Sequence, residues 1–376
     1  MAFFDTTTHV DFKTLARKRL PSYLFDFIEG GAFDENTLQA NREDFKAIKL
    51  RKRVLTGIQP PDTATKLFNH TLSMPLIRAP VGFAGVYARR GEVQAAIAAK
   101  SRGIPYCHSS TSICSMEEVF EGTGTPFWYQ FYPLKDRVIS LELLSRALSI
   151  GIDTLVITVD LPSIGIRHRY QRSLASRSRI NELLRHFNWV KNVRLFGGPL
   201  VLGDYVPYAK GLNSLSSMRK WLASQLIHDL NWEEIEWVRS VWPHKVIIKG
   251  LLDEEDVKEA NKERVHAIVI SNHGARHIDS VSSPISILPR LVDKADVPVL
   301  IDGGISNGLD MAKALALGAK ACLIGRPWAF ALAADGQNGV DKLLKRYQNE
   351  LKSVMSQVGV SKIEDLNGII AESFNF

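Results

Sequence analysis

From Met74 onward the chain alternates two apolar patterns. One consists of short, continuous, β-branched runs: PLIRAPVG (75–82), PYCHSS (105–110), PFWYQFY (126–132), TLVITVD (154–160), KVIIKG (245–250), AIVISNH (267–273), VPVLIDGG (297–304) and ACLIGRP (321–327). The other repeats at helical spacing. EVQAAIAAKSRG places Val93, Ala96 and Ile97 on one side and stops at Gly103, and LDMAKALALG starts after Asn307 and ends at Gly318. Strands that are apolar on both faces belong to a parallel sheet covered by helices. Eight of them with short connections predict a closed (β/α)₈ TIM barrel rather than an open doubly wound sheet. Residues 1–73 read as an N-terminal helical cap, in which LPSYLFDFIEGGA is a helix ending at Gly30 and Gly31. Residues 161–230 exceed a βα loop and read as an insertion after the fourth strand. The stretch from Trp328 to about Gly359 reads as one long helix or a pair, and all of 1–376 as a single domain.

Composition narrows the class. Of the 376 residues 45% are hydrophobic and 23% charged, which is ordinary for a globular chain with a large core. Cys107, Cys114 and Cys322 form no CxxC pair and are odd in number, so they read as small buried hydrophobes in a reducing compartment. No histidine–carboxylate spacing reads as a metal site. The N-terminus lacks the apolar core of a signal peptide, and the longest apolar stretch, Ala314 to Ala334, is interrupted by Lys320, Arg326 and Pro327, so no membrane span is expected.

If the strands close a barrel, their C-terminal ends gather the chemistry. Those ends carry Pro80-Val81-Gly82, Ser109, Gln130 with Tyr132, Thr158 with Asp160, Lys249, His273 with Arg276, Asp302-Gly303-Gly304, and Gly325-Arg326. Arg167 follows just beyond the fourth end. IDGG and IGRP stand after strands seven and eight, where barrels commonly bind phosphate; the glycines admit backbone N–H groups and Arg326 adds charge. His273 with Asp160 suits an acid–base pair. Arg276 and Arg167 suit a carboxylate, and Lys249 a fixed charge beside an electron-rich ring. His277 is read as lying past the site, and His108 as a hydrogen-bonded core histidine.

SNHGAR, TVD, IDGG, ALALGA and LIGRP resemble the FMN-dependent 2-hydroxy acid oxidoreductases, from about Asp11 to the C-terminus. PVGFAGVYARRGEVQAA, KGLL and WPHK look closest to the membrane-associated, quinone-linked L-lactate and mandelate dehydrogenases. The resemblance implies FMN as cofactor and oxidation of an L-2-hydroxy acid to the 2-oxo acid. It implies His273 as the base, Asp160 stabilising the imidazolium, Arg276 and Arg167 on the substrate carboxylate, and Tyr132 on the substrate oxygen. Lys249 would lie near the flavin N1–C2 region. Ser109, Gln130 and Thr158 would bond the isoalloxazine, with the backbone at Val81 and Gly82 beneath it. Asp302, Gly303, Gly304, Gly325 and Arg326 would hold the ribityl chain and phosphate. Hydride transfer and a carbanion route use the same residues. A homotetramer and a membrane quinone as acceptor are implied in the same way, as is oxygen for the oxidase members; Gly82, where many oxidases carry alanine, favours the dehydrogenases. One position departs: the family's usual tyrosine in the N-terminal helix is Phe27, which favours a larger or more apolar acid.

Charge adds a surface. The chain's net charge is +7, and the segment from Gly165 to Leu195 carries Arg167, Arg169, Arg172, Arg177, Arg179, Arg185, Lys191 and Arg194 against Glu182 alone, an excess equal to the whole. Ile180, Leu183, Leu184, Phe187 and Val190 follow helical spacing there, with Trp189 alongside. A basic amphipathic helix over 177–195 suits either an anionic membrane surface or packing on the barrel mouth with a solvated basic face; the resemblance to quinone-linked members favours the membrane, as a peripheral protein on the cytoplasmic side. No nucleic-acid motif is present.

Overall fold

The computed structural model describes residues 8–175, 184, 186–195 and 198–373. The eight apolar runs form eight parallel strands: β1 (Leu76–Arg78), β2 (Cys107–Ser109), β3 (Trp128–Phe131), β4 (Thr154–Thr158), β5 (Lys245–Leu251), β6 (Ala267–Ile270), β7 (Val299–Asp302) and β8 (Ala321–Ile324). From β2 to β8 each pairs with the next in sequence, and β8 returns to β1. The ring closes between β1 and β2 through a parallel bridge of Arg78 and Tyr106 and a 3.0 Å bond from Arg78 N to Pro105 O. The barrel is the (β/α)₈ architecture that the alternating pattern predicts.

The two faces of the strands divide the core. Ile77, Cys107, Val156, Ile247, Val269, Leu300 and Leu323 fill the barrel interior, while the alternate positions pack outward on the helices. All three cysteines are free and buried, and burial raises the thiol pKa of each.

The N-terminal segment is helical only in part. Helices His9–Arg19, Ser22–Glu29 and Asn36–Glu43 are followed by a short antiparallel hairpin of Thr65–Leu67 and His70–Leu72. Leu67 and Leu72 join the interior cluster, and the Phe68 ring meets that of Trp128 at the start of β3. The hairpin therefore plugs the N-terminal mouth of the barrel, which the reading of 1–73 as helical did not anticipate; three-residue strands carry too little alternation to be seen. The last long element, Arg326–Val358, breaks at Asp335 and Gly336 into two helices.

The insertion after β4 contributes a helix, His168–Ala175, which lies against Ser22–Glu29. Arg169 pairs with Glu35, Ser173 bonds Asp26, and the Tyr170 ring meets Phe27 edge-on at 5.1 Å. The N-terminal helices and the insertion thus roof the C-terminal end of the barrel together.

Candidate active site

The polar run after β6 folds into a turn with three successive left-handed residues, His273 (φ 53°), Gly274 (φ 63°) and Ala275 (φ 59°). Two of them are not glycine, so the turn stores strain that its surroundings must hold. Asn272 holds it. Its Oδ1 accepts from Ala275 N–H (3.0 Å) and from Asn41 Nδ2 (2.9 Å), and its Nδ2 donates to Asn41 Oδ1 (2.7 Å) and Ser282 O (3.2 Å). The turn aims His273 into the mouth. Its Nδ1 lies 2.8 Å from Asp160 Oδ1, which leaves Nε2 free toward the cavity. Burial opposes the Asp160 charge, but His273 and then Lys249 overcome it and hold the carboxyl at a pKa of about 2.

A cavity of ≈ 280 Å³ opens here. It is lined by Val81, Gly82, Ser109, Gln130, Tyr132, Thr158, Arg167, Lys249, His273, Arg276, Asp302, Gly303, Gly304, Gly325 and Arg326, so every residue singled out at the strand ends meets it except Asp160, which stands behind His273. Ser109 Oγ donates to Gln130 Oε1 (3.0 Å). Gln130 Nε2, Thr158 Oγ1 and Asp302 Oδ1 are buried without a partner, and buried polar atoms of that kind ask for a ligand or water. Lys249 Nζ pairs with Asp302 Oδ2 (3.0 Å) and donates to Ser271 Oγ (2.9 Å). Burial works against its charge, but Asp302 and Asp160 raise its pKa above the ordinary value. Gly304 cannot be replaced: its φ is 86°, and a Cβ would lie 1.7 Å from Asn41 O.

The arginines differ in what they hold. Arg326 gives Nε, Nη1 and Nη2 to Ile28 O, Gly274 O and Gly30 O, at 3.0, 2.8 and 3.0 Å, tying the roof to the His273 turn. Arg276 donates to Phe27 O (2.7 Å) and Ile28 O (3.0 Å). Arg167 Nη1 is buried without a partner. Burial, and next its neighbour Arg276, lower Arg167 to about 9; burial and Arg326 lower Arg276 to about 10. Crowded guanidinium groups of this kind are relieved by an anion between them. The Phe27 ring lies 4.6 Å from the guanidinium of Arg167 and 5.1 Å from that of Arg276, and it meets Phe83 at 5.8 Å.

Two histidines qualify the sequence reading. His108 is fully buried, near Tyr106 Oη (3.1 Å) and Asp204 Oδ2 (3.5 Å), as a core histidine should be. His277 does not lie past the site. Its ring stands 4.4 Å from that of His273 at 77° and lines the cavity, because the left-handed turn folds the chain back toward the mouth. Asp160, His273 and His277 accordingly bring three potential ligand atoms within 4.8 Å of one another, although the Nδ1 of His273 is already given to Asp160. Sequence reasoning also missed Asn41 and Thr111. Asn41 acts from over 200 residues away, which no spacing reveals. Thr111, two residues past Ser109, shares a 3.0 Å hydroxyl contact with it.

A (β/α)₈ barrel that gathers a His–Asp pair, a buried lysine and glycine-lined seventh and eighth strand ends at one mouth has the layout of a barrel enzyme with room there for a phosphorylated ligand. The comparisons specify it. A family model described as FMN-dependent dehydrogenase matches residues 16–372. The chain is 42% identical over 367 residues to the L-lactate dehydrogenase of Pseudomonas syringae pv. syringae (strain B728a), covering 96% of this chain and 97% of that one. It is 43% identical over 364 residues to an L-lactate dehydrogenase of Acinetobacter baumannii, covering 95% of each. Among solved structures, that of the monotopic membrane protein (S)-mandelate dehydrogenase superposes with a TM-score of 0.94 at 31% identity, over 98% of this chain and all of that one. A mandelate oxidase complexed with benzoyl-formic acid gives 0.83 at 30%, over 98% and 99%. The chain belongs to the FMN-dependent dehydrogenase family. It is an FMN-dependent oxidoreductase.

Proposed function

We propose that the chain oxidises an L-2-hydroxy acid of the lactate type to the 2-oxo acid, with FMN as cofactor and a membrane quinone as electron acceptor. The observation that carries this reading is the 2.8 Å His273–Asp160 pair facing the same cavity as the crowded Arg167 and Arg276. The donor set suits FMN: the unpartnered Gln130 Nε2 and Thr158 Oγ1 offer hydrogen bonds to a flavin's polar edge, Lys249 a positive charge, and the Gly303, Gly304 and Gly325 backbone a place for its phosphate. When bound, FMN would supply the acceptor for the two electrons and for one of the two protons that leave the carbinol, the other proton going to His273.

The chain's own residues do the rest. Arg167 and Arg276 fix the carboxylate and thereby the C2 carbon. Tyr132 borders the substrate oxygen. His273 Nε2 takes the proton, and the ionised Asp160 stabilises the resulting imidazolium through Nδ1. Phe27, Phe83 and Tyr170 form an apolar wall, which admits side chains larger than methyl.

Anaerobic bleaching of the bound flavin across a panel of L-2-hydroxy acids, from lactate to mandelate, tests this reading; a flavin that no member bleaches would refute it and leave a binding protein without catalysis. Turnover with a quinone analogue against turnover with oxygen then separates dehydrogenase from oxidase, and the likeness to a mandelate oxidase makes the second arm necessary. Phe27→Tyr adds a hydroxyl between the two guanidinium groups and is expected to lower the KM for L-lactate about tenfold, as a hydrogen bond to a charged group of about 1.5 kcal/mol would. Unchanged KM and kcat would count against the placement of the carboxylate.

The basic segment is proposed to meet an anionic bilayer. Arg177, Arg179 and residues 180–183 and 185 lie outside the described residues. Of those described, Leu184 and Phe187 are exposed, and Trp189 anchors the segment by donating to Val86 O (2.8 Å). Among the described residues no helix is long and apolar enough to cross a membrane. Deleting 177–195 is expected to abolish co-sedimentation with anionic vesicles, and a truncated protein that still pellets with them would end this proposal.

A further inference from the structure

One group in the cavity has no part in the chemistry above. Both ring nitrogens of His277 are buried and lack a hydrogen-bond partner. A neutral imidazole carries one donor and one acceptor, and burying both unpaired is costly unless a ligand completes them. The ring stays neutral: burial first, then His273, lower its pKa to about 2, with Arg276 and Arg167 acting in the same direction and Asp160 against it. The groups around it are therefore the base on its own turn, the two guanidinium groups assigned to the carboxylate, and one carboxylate already engaged by His273. From the N-terminal helix, Phe27 reaches both arginines with a ring that has no polar atom.

We propose that His277 is a further substrate-contacting residue, whose ring N–H donates a hydrogen bond to the carboxylate of the 2-hydroxy acid between Arg167 and Arg276. The inference rests on the function proposed above. A carboxylate has about four lone-pair positions, which two guanidinium groups do not exhaust, and Arg167 Nη1 waits unpartnered in the same cavity. The neutral donor adds a bond without adding charge to an already crowded cationic pair.

The test uses the FMN-loaded protein and two variants, His277→Phe and His277→Gln, with flavin content measured for each. Two quantities are read: the KM for L-lactate, and the Kd for propanoate, which has the carboxylate but no 2-hydroxyl, from the perturbation of flavin absorbance. His277→Phe is expected to weaken both about tenfold while kcat changes less, and His277→Gln, which keeps a donor, to stay within about threefold. An unchanged propanoate Kd in His277→Phe would overturn the inference, as would an equal loss in His277→Gln. If His277→Phe fails to hold flavin, His277→Ala takes its place under the same criteria. A wild-type protein that no 2-hydroxy acid bleaches defeats the underlying function instead; bleaching that both variants share unaltered defeats this inference alone.

Discussion

His273→Gln is expected to slow anaerobic flavin reduction by L-lactate by a factor on the order of 10²–10⁴, the usual contribution of a positioned general base. Glutamine can replace the hydrogen bond to Asp160 but cannot accept a proton. Flavin content should stay at the wild-type level, because the contacts proposed for the cofactor come from other strand ends, and KM should move by less than tenfold, because the carboxylate is assigned to Arg167 and Arg276. Stopped-flow absorbance at saturating acid gives the rate, and a fall of less than tenfold would remove His273 from the role of base. The pH dependence adds a second check. Asp160 is depressed to about 2, below the roughly 3.9 of a free aspartate. It therefore remains ionised above about pH 4, and its support of the imidazolium fades only as pH falls from there through about 2. Any loss of rate nearer neutrality has another source.

That the barrel was legible follows from its physics. Strands covered on both faces must be continuously apolar, so β4 and β6 announce themselves as TLVIT and AIVI, and the place of a residue at a strand's C-terminal end fixes which side of the barrel it meets. Ser109, Lys249, His273 and Asp302 could be grouped from sequence for that reason. What followed from loop geometry was not legible. His277 reads from the sequence as lying past the site on its loop, whereas three left-handed residues in succession return it to His273. Asn41 and Asn272 meet across 231 positions, and nothing in either neighbourhood marks the pair. Arg326 reads as a phosphate ligand from its place after the eighth strand and from its charge, and three of its donors are given to the backbone carbonyls of Ile28, Gly274 and Gly30. Charge is read from sequence; the direction of a guanidinium is not.

Lys249→Met is expected to cost about 3–5 kcal/mol of folding stability at neutral pH, the scale for breaking a buried ion pair by removing one member. The lysine side chain is 4% exposed and its Asp302 partner 11%, so solvent cannot replace the lost charge, and Asp160 loses a neighbour that helps keep it ionised. The signs give the pH window. Lys249 is raised above its unfolded value, so in the wild type its contribution is complete below about pH 10 and is lost as pH climbs through the folded pKa. Urea unfolding at pH 7 measures the loss and its repetition above about pH 10 the alkaline limit, and a loss below about 1 kcal/mol at pH 7 would show the pair to be solvated after all. Adding Asp302→Asn to Lys249→Met removes the stranded charge and is expected to restore part of the stability while flavin reduction stays impaired. Recovery of the fold without recovery of the rate would separate what the lysine does for the barrel from what its charge does beside the cofactor.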